Sequence, residues 1–153
     1  MSIGMERSVV ALSALILMSA AFEVSAGPVE EVTQISAARA QALQDGNADA
    51  YAAAYADNAV FHSALAPFRI EGREAIRGYF ADLFQQFPKR RILQRQPIIR
   101  AYNDDVVIQD AYLMLYFTDA RGESSTYALR LSVVWAKVGG RWQIVDQHGS
   151  RLP

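Results

Sequence analysis

At 153 residues the chain has the length of one domain, and with 52% hydrophobic residues it has ample apolar material for one core, so extended disorder is excluded. It has no cysteine and only two histidines, which excludes disulfides and a structural zinc site. A formal net charge of −1 leaves no electrostatic footprint for nucleic acid or an anionic membrane.

The N-terminal residues read as a leader. Arg7 supplies a short positive region, Val9 to Phe22 form an uncharged apolar run, and Glu23-Val24-Ser25-Ala26 places small residues where signal peptidase cuts. Cleavage is expected before Gly27, giving a signal peptide over 1–26 and a domain over 27–153. The apolar run, about 14 residues, is short for a bilayer-spanning helix, although an uncleaved anchor stays open as the alternative. Arg7, Glu6 and Glu23 fall in the leader, so the 15 basic and 16 acidic side chains become 14 and 14. The expectation is a periplasmic or secreted protein with no membrane contact once the leader is gone.

From Val29 to Gln44 the residues Val32, Ile35, Ala38, Ala42 and Leu43 recur near helical spacing. Glu30 and Glu31 suit the helix start, and Gly46 its end. A second, alanine-rich helix is predicted from Asp49 to Ala56, with Tyr51 and Tyr55 one turn apart. Val60-Phe61-His62 reads as a short strand. Leu65 to Phe68 reads as a turn or an edge segment, because Pro67 cannot donate to a ladder. After Glu71-Gly72-Arg73 a third helix carries Ile76, Tyr79, Phe80, Leu83, Phe84 and Phe87 on one stripe, and Pro88 ends it.

The period then changes. Arg90 to Tyr102 is extended but interrupted by Pro97, and Asn103-Asp104-Asp105 turns the chain. Val106 to Thr118 and Ser124 to Lys137 are long strands, and Gly139-Gly140 turns into a last strand led by Trp142. Helices first and a meander of four long antiparallel strands after them make an α+β domain. Strands of this length are expected to bend around the helices.

Three segments in this order carry a family resemblance: Tyr55 to Phe61, Gly72 to Phe80, and the Trp142-led strand with His148 and Ser150. Together they resemble the SnoaL-like, or nuclear-transport-factor-2-like (NTF2-like), superfamily over nearly all of the mature chain. The resemblance implies a cone-shaped, strongly curved antiparallel sheet wrapped over a long helix, a cystatin-like roll. It also implies a pocket at the open end and dimerisation through the sheet. Trp142-Gln143-Ile144-Val145, with His148 and Ser150, further resembles the association domain of calcium/calmodulin-dependent protein kinases. The three pocket arginines of that domain fall here on Leu113, Val133 and Gly149, so its acidic-ligand site is not supported by the match.

The superfamily hosts isomerases, dehydratases, cyclases and many non-enzymes, so chemistry has to come from the site. His62, at the end of a short strand, can act as a general base near neutral pH or simply bond to backbone. Alternation puts Asp146, His148 and Ser150 on one face of the last strand with Trp142 and Ile144. Asp146 and His148 are then candidates for a base and its orienting carboxylate, or for a subunit contact. Ser150 lacks a nucleophile elbow, and no paired spacing supports a metal site. Tyr51, Tyr55, Tyr79, Arg95, Arg130 and Trp135 are the candidate ligand contacts; Arg130 alternates with Ala128 and Ser132, as in a cavity wall or an interface.

Three functions fit these residues. One is a cofactor-free proton-transfer enzyme acting on a small apolar molecule, with His62 as base or acid and Asp146 and His148 in support. Another is a non-catalytic association module, expected as a homodimer, whose polar last strand meets a partner. The remaining one is a carrier of hydrophobic metabolites.

Overall fold

A computed structural model describes residues 26–153; the leader expectation over 1–26 lies outside the described residues except for Ala26. Helix α1 runs from Pro28 to Asp45, with proline pre-set for the first turn and Glu30 and Glu31 near its positive end. Gly46 closes it in the left-handed conformation (φ 73°), a geometry that costs other residues a Cβ clash.

Helix α2 spans only Ala48–Ala52, capped by the Asn47 side chain on the Ala50 N–H at 2.9 Å. It does not continue to Ala56, because the last strand takes over the backbone: the Ile144 N–H donates to the Ala54 carbonyl at 2.7 Å. Tyr55 therefore starts strand β1 (Tyr55–His62) instead of ending a helix. The two-residue strand β2 (Ile70–Glu71) follows, then helix α3 (Arg73–Gln86), whose stripe of Ile76, Phe80, Leu83 and Phe84 is buried. No helix of the described residues is long and apolar enough to cross a membrane.

Four long strands complete the chain: β3 (Lys89–Asn103), β4 (Val106–Thr118), β5 (Ser124–Val138) and β6 (Arg141–Arg151). They form the expected antiparallel meander within one curved open sheet of order β2-β1-β6-β5-β4-β3. The β1–β6 pairing is parallel. It is a pairing that hydrophobic alternation does not foretell.

The inner face of the sheet packs on the helices. Trp135, Tyr55, Phe117, Ile144, Val107 and Val133 from the sheet and Val32 and Ile76 from the helices are the largest fully buried apolar side chains of the core between them. Arg90 turns inward over the Phe84 ring and donates to the carbonyls of Leu43, Phe84 and Phe87. It ties the C-terminal ends of α1 and α3 together, where orphan carbonyls need donors.

A bulge in β6 decides which residues face inward. Ile144 pairs with Trp135 and Asp146 with Val134, so Val145 is an extra residue without an opposite number. Trp142 and Ile144 point into the core before it, and Gln147 and Gly149 do so after it. Asp146, His148 and Ser150 consequently leave the face of Trp142 and Ile144, correcting the simple alternation read from the sequence.

Candidate functional site

The buried stripe of α1 is Val32, Ser36, Arg39, Ala42 and Leu43. Arg39 is only 7% exposed, an unusual place for a guanidinium. Its Nη2 donates to the hydroxyls of Tyr51 (2.6 Å) and Tyr55 (3.2 Å) and to Oε1 of Gln147. Tyr55 also donates to Gln147 Oε1 at 2.8 Å, and the guanidinium lies over the Tyr51 ring, 4.6 Å from its centre. α1, α2, β1 and β6 thus each supply one member of this cluster.

The charge on Arg39 is not neutralised. Its partners are two phenol hydroxyls and an amide oxygen, and among the described residues no carboxylate pairs with it. Its Nε is buried with no hydrogen-bond partner among the described residues. Burial pulls the Arg39 pKa down, but the neighbouring Tyr51 and Tyr55 oxygens outweigh it and the net direction is up. The guanidinium stays protonated. Burial drives the Tyr55 phenol well above its usual range, against the opposing pull of Arg39, so Tyr55 supplies a dipole and not an anion.

Two chambers open beside this cluster. The first, about 110 Å³, is lined by Ser36, Arg39, Gln44, Gln94, Gln109 and Gln147 among others. The second, about 60 Å³, is mostly apolar: Phe61, Leu65, Phe80, Leu83, Leu129 and Phe117 line it. Leu43, Tyr51, Leu113, Leu131 and Gln147 border both. In the second, the Tyr79 hydroxyl lies 2.8 Å from Ser63 Oγ, and burial raises the Tyr79 pKa despite that bond. Neither lining contains a histidine or a carboxylate among the described residues.

The residues expected at the site separate into two groups. Tyr51 and Tyr79 line the cavity, and Tyr55 anchors Arg39 from behind it. Trp135 is fully buried and lines neither chamber. Its indole N–H donates to Gln109 Oε1 at 3.1 Å and steadies an amide that does line one, itself 2.8 Å from Ser36 Oγ. His62, Asp146, His148, Arg95 and Arg130 lie on the outer face of the sheet. His62 and His148 are exposed, Arg95 sits beside Tyr112, and Arg130 pairs across the strands with Tyr112 and Ser150. Inside, Leu113 and Gly149 border the cavity and Val133 is buried, so all three places matched to the association-domain arginines face inward.

Arg39, Gln109 and Gln147 are absent from the expected set. Arg39 had a signal: it stands seven residues after Val32 and three before Ala42, on the apolar stripe of α1. Gln147 had none, since it turns inward only because of the bulge at Val145.

Comparison with known proteins agrees with this architecture. Residues 29–153 match the family described as calcium/calmodulin dependent protein kinase II association domain. Among curated proteins none matches. Among solved structures, a proposed association domain of this kind from Xanthomonas campestris is 26% identical with a TM-score of 0.72, over 84% of this chain and 94% of that one. An NTF2-like protein of unknown function from Pseudomonas putida is 21% identical with a TM-score of 0.70, over 80% and 84% of the two chains. A proposed dehydratase of the NTF2-like family from Streptomyces avermitilis is 12% identical, TM-score 0.71, over 82% and 97%. At their identities the last two speak to the fold alone. The chain is therefore a member of the calcium/calmodulin-dependent protein kinase II association-domain family, built on an NTF2-like fold.

Proposed function

We propose that this chain is an exported, self-associating domain whose cavity binds a small organic anion, a short carboxylate with an apolar tail. One observation carries the reading: among the described residues Arg39 is a buried cation with no counter-charge and an unpartnered Nε. A buried charge in that state is costly unless an anion completes it. A guanidinium also presents a planar fork suited to a carboxylate.

The two chambers suit head and tail. The carboxylate meets Arg39, Tyr51 and the glutamine amides; the apolar part lies along Phe61, Phe80 and Leu129. Both chambers are far below the roughly 300 Å³ of a drug-sized site, which favours a short ligand. The absence of histidine and carboxylate from the lining supports a binding role over proton transfer by His62 or Asp146.

The test is a thermal-shift series with short aliphatic and aromatic carboxylates. A ligand at 100 times its Kd stabilises by about 2.7 kcal/mol, so a rise of several degrees in Tm is expected for the wild type. Arg39→Met is expected to fold and to show no response. Equal responses in both proteins would remove Arg39 from binding.

A further inference from the structure

The parallel pairing of β1 with β6 sets His62 directly opposite His148. Their ring centres are 5.5 Å apart with the planes at 41°, and both side chains are exposed on the outer face of the sheet. This places them on the far side of the sheet from the cavity, since Gln147 between Asp146 and His148 points inward. Among the described residues neither ring is tied down by a hydrogen bond or an ion pair.

We propose that His62 and His148 chelate one divalent transition-metal ion, copper(II) in preference to zinc or nickel. The geometry fits a shared ion. A metal–nitrogen bond of about 2.0–2.1 Å puts each ring centre a little over 3 Å from the metal. Two rings on one ion then lie about 4.5 Å apart at a right angle and about 5.5 Å apart when the angle opens to roughly 120°. The observed 5.5 Å is at the open end of that span, and a small rotation of either exposed ring closes it. Both residues stand on paired strands, which hold the two Cα positions fixed.

The neighbours define the site as a two-ligand one. The same rung of the sheet continues from His148 to Ser132 and Asp110. Asp110 is already engaged: Ser132 Oγ donates to it at 2.8 Å, and Arg100 pairs with it at 3.2 Å. No cluster of three potential ligands forms among the described residues. Two imidazoles and solvent complete the coordination, and for such nitrogen ligands the affinity order of divalent ions peaks at copper.

The experiment uses untagged protein stripped with EDTA and titrated with CuCl2 and with ZnCl2 by calorimetry, the copper form also being examined by electron paramagnetic resonance. One copper per chain with nitrogen donors in the spectrum is expected, and weaker binding of zinc. His62→Gln and His148→Gln are each expected to weaken copper binding by about tenfold or more, and the double variant to abolish it with unchanged circular dichroism. No stoichiometric binding to the wild type, or binding that persists in the double variant, overturns the proposal.

Discussion

At the scale of single residues, the cavity is organised by a charge that no carboxylate among the described residues compensates. Reading α1 from its apolar residues finds the right face but passes over Arg39, which lies on that face, because a charged side chain is expected to point to water. Tyr51 and Tyr55, which the sequence places one helical turn apart, are buried together although Tyr55 begins a strand. Tyr55 also has a consequence for stability. Burial raises its pKa in the folded state above the ordinary phenol value of 10.0, so folding favours the protonated form. That contribution is complete below pH 10 and is lost as pH rises through the folded-state value. The denaturant midpoint is therefore expected to drop steeply above about pH 10, and Tyr55→Phe, which has no proton to lose, is expected to flatten the drop. A midpoint with the same alkaline slope in both proteins would contradict this assignment.

At the scale of elements, the helix stripes and the meander of long strands were legible because their periods are strong and their turns carry glycine and asparagine. Two things were not legible. Nothing local marks the parallel pairing of β1 with β6, a long-range contact that brings His62 to His148. Nor does alternation reveal the bulge at Val145, since Val145 is itself an ordinary strand residue. Yet that one residue sends Gln147 inward and His148 outward. Deleting Val145 would remove the extra residue and set Asp146 directly after Ile144, so strict alternation would keep Gln147 inward and His148 outward. The deletion is expected to cost about 1 kcal/mol or less, because no polar group changes face and Arg39 keeps Gln147 as a partner. Urea unfolding measures this; a loss of about 3 kcal/mol or more would show that Val145 does more than shift the register.

For the whole molecule, the sheet has two faces with different surroundings. The inner face is covered by helices, whereas the outer face carries Ile98, Tyr112 and Tyr116, which are 55%, 43% and 38% exposed, with Leu93 and Met114 half-buried between them. An apolar patch of this kind on an uncovered sheet favours a second copy of the chain as its cover, in keeping with membership of an association-domain family. Protein recovered from an exporting host is expected to start at Gly27 and to run as a dimer in light scattering. Replacing Tyr112 and Tyr116 together by lysine is expected to weaken that dimer by about a hundredfold, since like charges would face each other across the contact. A dimer unaffected by the pair of lysines would place the interface elsewhere. On the proposed reading association and ligand binding use opposite faces of one sheet, and the central proposal concerns the inner one. The most direct measurement is calorimetric titration of the wild type with the best-responding carboxylate and with its carboxamide, which keeps the shape and removes the charge. Binding of one carboxylate per chain, with the amide weaker by about tenfold or more, is expected for an anion held by Arg39. Equal affinity for acid and amide would contradict it.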